Sequence, residues 1–225
     1  MDRKQIKTDA KDAIRGSNWV MFSVAQIIWG FILGLIMVVF GILFGVVGGV
    51  ADAIGIPIVS GILYFVIGVF GMILMLGFIG TIMVASFKNA LDLWSGMSVD
   101  LLQISKYTKY IVTNAGCMWS LIWRMYIPVP FLNIYLFIRC YLNTAVKADN
   151  PYMKARFCAK RSKELMKGHV LDLIILILSF FPWFLLGMVT CGLAMFYVAP
   201  YMCVSIAGFY ETIKEEQEYE GNPEA

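Results

Sequence analysis

Charged residues and histidine are scarce in this chain of 225 residues, and both features limit the kinds of protein that it can be. Only 15% of the residues are charged, against about 25% in soluble proteins, while 60% are hydrophobic, against about 45–50%. A soluble fold of this size cannot bury so much apolar side chain, and the same figures exclude a disordered, coiled-coil or collagen-like chain. The composition therefore predicts an all-α, polytopic integral membrane protein.

The residues that usually carry catalysis or bind metals are also few. The single histidine, His169, lies at the edge of an apolar segment, and the five cysteines form no C-x-x-C pair. The sequence contains no H-E-x-x-H, no G-x-S-x-G and no phosphate-binding glycine loop. We therefore predict a protein that is not an enzyme, with no catalytic residue, no metal site, no cofactor and no nucleic-acid partner.

Long apolar segments dominate what is present, and about 20 such residues suffice to cross the hydrocarbon core. The six predicted spans, arranged as three hairpins within one helical domain from 19 to 210, are 19–51, 56–87, 111–127, 129–146, 171–188 and 193–210. The two middle spans fit a pair of short helices hinged at Pro128-Val129-Pro130, with a re-entrant hairpin as the alternative.

Polar segments separate these spans. Lys4, Lys7 and Lys11 share one helical stripe, so residues 1–18 are predicted to form an amphipathic helix at the membrane surface. The other polar segments are predicted to be two interfacial stretches and an acidic cytoplasmic tail, at 88–110, 151–168 and 211–225.

The placement of lysine and arginine predicts the orientation of the chain. The N-terminal segment carries five, residues 88–110 carry three and residues 147–169 carry seven, whereas the turns near 52–57 and 188–192 carry none. Cytoplasmic loops are enriched in these cations. We therefore expect a multi-pass protein of the cytoplasmic membrane, with both termini in the cytoplasm.

Glycines recur at helix-packing intervals in the first two spans. They are Gly30, Gly34, Gly41, Gly45, Gly49, Gly61 and Gly68. Small residues at such spacing let helix backbones approach closely within lipid. The pattern predicts packing of the first span on the second, and a homodimer face is the alternative.

Arg139 is the most distinctive single residue. A helix beginning near residue 129 would place it roughly 15 Å into the membrane. An arginine at mid-span costs at least about 2.5–3.5 kcal/mol and needs a partner, such as Asp172, a lipid phosphate or an anionic ligand. The alternative is a shallow hairpin from which Arg139 snorkels to the cytoplasmic interface.

Other cations and amides join Arg139 as candidate contacts to a ligand or a lipid. The full set is Arg139, Arg124, Asn133, Asn143, Lys160, Arg161, Lys163 and Lys167. Basic segments beside a membrane attract anionic head groups at about 1 kcal/mol per cation, although positive-inside topology alone also explains the basic stretch. The topology predicted above would place Arg124 near the outer side, which counts slightly against that topology.

Several motifs of the chain resemble the family of bacterial integral membrane proteins called domain of unknown function 975. They are Asp149-Asn150-Pro151, the segment Ser162 to Gly168, Leu178-Ser179-Phe180 with Trp183, Pro200-Tyr201, Phe209-Tyr210-Glu211, and the N-terminal Ala13, Gly16, Asn18 and Trp19. Two departures are Lys163, where the family usually has arginine, and Pro128-Val129-Pro130, where it has a proline-glycine break. The resemblance implies a multi-helix membrane protein and no particular reaction.

Taken together, these features favour a non-enzymatic binding or accessory protein for lipid, hydrophobic peptide or a membrane partner. The alternative is a small transporter or channel for an anionic or amphipathic solute, and a lipid-modifying enzyme is the least favoured class. The expected partners are the lipid bilayer and anionic phospholipid head groups, with a homo-oligomer or a membrane-protein partner left open.

Overall fold

The computed structural model describes residues 3–53, 57–125 and 130–221, and these form eleven α-helices and no strand. The helices are α1 (Arg3–Ala13), α2 (Asn18–Ala53), α3 (Pro57–Trp94), α4 (Gln103–Thr108), α5 (Ile111–Met125), α6 (Pro130–Cys140), α7 (Asn143–Asp149), α8 (Ala155–Leu165), α9 (Val170–Leu178), α10 (Phe181–Val189) and α11 (Met195–Gly221). The predicted all-α class is confirmed for this part of the chain.

Three helical stretches of the described chain are long and apolar enough to cross a membrane, which is fewer than the six predicted spans. They are Asn18–Ala51, Ile58–Trp94 and Val170–Val189. The third consists of α9 and α10, with a turn at Ser179 and Phe180 and with Pro182 in the first turn of α10. The helical stretch is therefore interrupted just before that proline.

The middle pair, α5 and α6, is too short for two full crossings. At 1.5 Å per residue, the 15 residues of α5 and the 11 residues of α6 extend about 22 Å and about 16 Å, against roughly 30 Å of hydrocarbon. The predicted span 129–146 is longer than α6, because α6 ends at Cys140 and a separate helix, α7, follows. The predicted hinge lies outside the described residues, apart from Pro130 at the start of α6.

The first hairpin, α2 with α3, carries two rows of exposed apolar side chains. Exposed large hydrophobic residues run from Ile27 to Val50 on α2 and from Ile58 to Met75 on α3. The 24 residues from Ile27 to Val50 rise about 36 Å, which exceeds the roughly 30 Å thickness of the hydrocarbon core. Such a surface is stable in lipid and not in water, so the composition and the exposure pattern agree on a membrane environment.

The seven glycines predicted to pack α2 against α3 do not do so. A Cβ atom built on any of them would meet no neighbouring atom within 4 Å. The helices instead approach at Gly48, which receives the ring of Tyr64, and at Gly71, which receives the ring of Phe40. Spacing identifies a face lined by small residues, but it cannot say which face the partner helix covers. The homodimer alternative stays a prediction.

The second half of α11 lies at the centre of the protein core. Val204, Ala207 and Phe209 are fully buried, and the ring of Trp94 from α3 fills the space beside Gly208. The predicted acidic tail, residues 211–225, begins within α11, because the helix continues to Gly221. The side chain of Ile213 is buried, so the helix is extended by packing despite its acidic composition.

The predicted N-terminal amphipathic helix is present as α1, but its apolar face is not free to lie on lipid. Ile6, Ala10 and Ile14 are all buried in the protein. The Lys7 ammonium donates a hydrogen bond of 3.1 Å to the Ser179 hydroxyl and lies over the Phe180 ring. The amphipathic pattern is therefore that of a helix whose apolar face covers the protein core. Its main neighbour is α11.

Pro200 leaves one carbonyl of α11 without its helical hydrogen-bond donor, and a side chain of α2 supplies the donor. Pro200 has no N–H group, so the carbonyl of Phe196, four residues earlier, cannot receive its helical hydrogen bond. The Ser23 hydroxyl of α2 donates to that carbonyl. In an apolar surrounding, an unpaired carbonyl is costly, and a serine from a neighbouring helix is a common remedy.

The Ser23 contact gives a testable prediction. Ser23→Ala should lower the free energy of unfolding by about 1–3 kcal/mol, because the Phe196 carbonyl is left buried without a donor. Thermal unfolding of the purified chain in detergent measures this loss. In a Pro200→Ala background the helix can supply its own N–H, so the same serine change should cost less.

Ser105→Ala is the matched control, because the Ser105 hydroxyl bonds within its own exposed turn. It should change the free energy of unfolding by no more than about 0.5 kcal/mol. An equal loss from Ser23→Ala with and without Pro200 would contradict the proposed role of the serine.

Candidate functional site

A cavity of about 850 Å³ lies between α5 and α8, and it is called the cationic cavity below. Five basic side chains line it: Arg124, Lys154, Arg156, Lys160 and Lys163. None of the described lining residues is an aspartate or a glutamate. The cavity therefore carries an excess of positive charge from two separate helices.

Helical periodicity places these side chains on the facing surfaces of α5 and α8. On α5, Gly116, Ser120 and Arg124 recur every fourth residue and share one face. On α8, Arg156 and Lys160 follow the same rule, with Lys163 three residues on. The opposite face of α8 is buried in the core through Cys158, Ser162 and Leu165. Packing of that apolar face fixes the direction in which the cations project.

Gly116 sets the distance between the two helices. A Cβ atom at this position would lie 2.9 Å from the Cβ of Ala155, which is closer than side-chain carbons ordinarily come. The missing side chain lets the start of α8 lie directly against α5. The basic residues that follow in α8 are thereby held opposite Arg124.

The electrostatics of the cavity favour an anion. The Nη1 atom of Arg124 is buried and has no hydrogen-bond partner among the described residues. The Lys160 ammonium lies 3.9 Å from the Glu164 carboxylate, at the outer limit of an ion pair and largely exposed to solvent. The basic side chains repel one another, and a bound anion would offset this repulsion by attracting each of them.

Arg139 lies beside the cavity and braces α8 rather than lining the cavity itself. Its Nη2 atom donates a hydrogen bond of 3.3 Å to the Lys163 carbonyl, and its guanidinium lies over the Tyr135 ring. The Ser162 hydroxyl in turn donates to the Arg139 carbonyl at 3.0 Å. The Nε atom of Arg139 is buried without a partner among the described residues. The structure thus places Arg139 in the last turn of α6, next to the basic helix.

The other predicted contacts divide into three groups. Arg124, Lys160 and Lys163 are brought together in the cationic cavity, whereas Arg161 and Lys167 do not line it. Asn143 has a packing role, because its Nδ2 atom donates to the Cys117 carbonyl at 2.9 Å and to the Ser120 hydroxyl at 2.8 Å. The side chain of Asn133 lies outside the described residues.

Arg124 shares the cationic cavity with basic side chains of the predicted interfacial segment 151–168. The sequence placed Arg124 toward the outer end of a crossing helix, on the side opposite to the one predicted for that segment. The contact between α5 and α8 therefore brings together two groups of cations that the predicted topology had separated.

Lys147 is the key residue that sequence reasoning missed. Its side chain is fully buried, and its Nζ atom donates to the carbonyls of Pro151 and Met153, the latter at 2.8 Å. It also lies over the Tyr110 ring. Burial lowers the pKa of this ammonium group. The two hydrogen bonds fix the turn that leads into α8.

Lys154 and Arg156 were also absent from the predicted contacts, although their positions carried a signal. Arg156, Lys160 and Lys163 follow the 4-3 spacing of one helix face, as Gly116, Ser120 and Arg124 follow a 4-4 spacing. No comparable signal marks Lys147, which is one of seven cations between 147 and 169. Its burial depends on the geometry of a turn, which the spacing of residues in the sequence does not predict.

Comparison with known families identifies one match. A family model described as "Protein of unknown function (DUF975)" matches residues 58–217, which are 160 of the 225 residues. The matched region contains every described residue that lines the cationic cavity. Comparison with curated proteins and with solved structures gave no match.

The role of Lys147 leads to a second prediction. Lys147→Met keeps a long unbranched side chain but removes the ammonium group, so the Pro151 and Met153 carbonyls lose their donor. We expect a loss of about 2 kcal/mol in the free energy of unfolding, measured by thermal unfolding in detergent. Lys154→Met, at an exposed position on the same turn, should be close to neutral. A Lys147→Met variant that is equally or more stable would contradict the bracing role.

Proposed function

Because the chain belongs to the DUF975 family, a family without an assigned function, we propose from its site that it is a non-enzymatic binding or accessory protein of the cytoplasmic membrane. Its ligand-binding site is the cationic cavity between α5 and α8, and its ligand carries a phosphate or another anionic group. The observation that carries this proposal is the meeting of five basic side chains without a lining carboxylate.

The chemistry of the cavity suits a phosphate-bearing ligand. Arginine presents paired N–H donors that match two oxygens of a phosphate, and lysine adds flexible point charges. A volume of about 850 Å³ falls in the range of pockets that bind small molecules, about 300–1,000 Å³. The unpartnered Nη1 atom of Arg124 supports the same reading, because a bound anion would satisfy it.

Binding without catalysis is the simplest use of this lining. The described lining residues include no histidine, cysteine or carboxylate that could act as a nucleophile or as a general acid or base. The Ser120 hydroxyl is engaged with the Cys117 carbonyl and with Asn143. A binding or accessory role therefore needs fewer assumptions than a lipid-modifying reaction.

We propose a topology in which two of the three predicted hairpins cross the membrane. The first is α2 with α3, and the second is α9–α10 with α11, whose 27 residues are long enough to return across the bilayer. The pair α5–α6 is the re-entrant alternative of the sequence analysis. An even number of crossings keeps both termini and the basic α8 in the cytoplasm, as the lysine and arginine counts favour.

The anion site gives a third prediction. A combined Arg124→Gln, Lys160→Gln and Lys163→Gln variant should weaken binding of inorganic phosphate or glycerol 3-phosphate by at least about tenfold, because it removes three cations from one cavity. Isothermal titration calorimetry on the purified full chain at fixed ionic strength measures the change.

The matched control removes one arginine and two lysines elsewhere. The substitutions are at exposed positions outside the cavity, and they lower the net charge by the same three units. They are Lys11→Gln, Arg15→Gln and Lys167→Gln. This variant should keep the affinity of the parent chain. Equal weakening in both triple variants would mean that binding follows net charge, and the cavity would not be the site.

The orientation gives a fourth prediction, for which the chain supplies its own probe. Cys191 is exposed in the turn between α10 and α11, which the topology places outside. A membrane-impermeant maleimide added to intact cells should label the parent chain and not a Cys191→Ser variant. In a Cys191→Ser, Lys160→Cys variant, labelling should require permeabilised cells. Labelling of position 160 in intact cells would reverse the proposed orientation.

A further inference from the structure

A second cavity, of about 330 Å³, lies between α5 and α3, on the face of α5 that adjoins the cationic cavity, and is called the apolar groove below. Its lining side chains are those of Met72, Ile73, Leu76, Ala115 and Trp119, and none of them is charged. The groove lies where α3 leaves the protein core, since Val84 and Ala85 further along α3 are buried. A chemically apolar occupant is the only kind that this lining favours.

The cationic cavity and the apolar groove meet at one residue. Gly116 lines both of them, and it is the only residue common to the two sets of described lining residues. A side chain at this position would project between the two spaces toward Ala155. Ala155 of α8 packs against Gly116, so the two cavities adjoin on neighbouring sides of this contact, close enough for the two ends of one molecule.

The apolar groove is continuous with the surface that the bilayer covers. Met72 and Ile73 are each 47% exposed, and they lie near the end of the row of exposed apolar side chains that runs from Ile58 to Met75. Trp119 is 50% exposed on α5 at the same mouth. An acyl chain can thus enter from the lipid phase without crossing a polar surface.

We infer that the ligand of this protein is an anionic phospholipid of the bilayer, with its phosphate head group in the cationic cavity and an acyl chain in the apolar groove. The charge of the cavity and the apolar lining of the groove match the two ends of such a molecule, and the two spaces adjoin at Gly116. This inference rests on the proposed function, because it needs the cationic cavity to bind an anion. It adds the class of ligand and the groove as a second half of the site.

The acyl-chain half can be tested apart from the head-group half. The purified full chain in a neutral detergent is titrated with dioleoyl phosphatidic acid and, separately, with glycerol 3-phosphate. Trp119→Ala removes a large apolar wall of the groove, so the affinity for phosphatidic acid should fall about five- to tenfold. The affinity for glycerol 3-phosphate should stay at the value of the parent chain, because Trp119 does not line the cationic cavity.

Trp123→Ala is the matched control for this experiment. Trp123 is 61% exposed, lies one turn further along α5 and does not line the groove. It should leave both affinities unchanged. If Trp119→Ala and Trp123→Ala weaken the binding of phosphatidic acid equally, the effect comes from losing any exposed tryptophan and not from the groove. That result would overturn the inference.

The remaining outcomes separate this inference from the proposed function. If glycerol 3-phosphate binds as tightly as phosphatidic acid, the site takes a free anion, and the acyl-chain half is wrong while the proposed anion site stands. If the three-cation variant of the cavity leaves the affinities for both probes unchanged, the proposed function itself fails. Loss of both probes in that variant, with selective loss of phosphatidic acid in Trp119→Ala, supports the full site.

Discussion

The cationic cavity depends on one buried ammonium group. Lys147 is fully buried, and it binds two backbone carbonyls of the turn before α8 instead of a carboxylate. A buried charge is tolerated only when several groups solvate it, and here the carbonyls and the Tyr110 ring do so. Because the turn is fixed in this way, α8 begins at Ala155 directly against Gly116.

The two helices that form the cavity bring like charges together, which packing elsewhere must offset. Three sets of contacts hold the basic face of α8 in place. They are the buried face of α8, the hydrogen bonds between Arg139 of α6 and residues of α8, and the Asn143 bridge from α7 to α5. None of these contacts uses the cations that line the cavity. The charges are thus left available, which is the arrangement expected of a binding surface whose framework is stable without ligand.

Sequence reasoning succeeded where a single periodic signal decides the outcome and failed where tertiary context decides it. The uncharged runs of α2 and α3 and the stripe of α1 follow from composition and from the 3.6-residue period. Arg124, Lys160 and Lys163 could be nominated as cations, but their meeting requires the packing of α8 on α5. The same limit explains the glycines, since spacing does not reveal that Gly48 and Gly71 receive the aromatic rings. Lys147 could not be told from its exposed neighbours.

The central position of α11 has a consequence for the order of folding. The Tyr201 hydroxyl donates to the Lys7 carbonyl across 194 residues, and Ser23 reaches Phe196 across 173. Such high contact order means that the core cannot close until α11 has left the ribosome. The first hairpin can enter the bilayer during translation, but the core-facing surfaces of α1 and α3 are covered only after α11 has been synthesised. A stop codon within α11 would therefore release a chain that is inserted and still unfolded, which is the form that membrane proteases degrade.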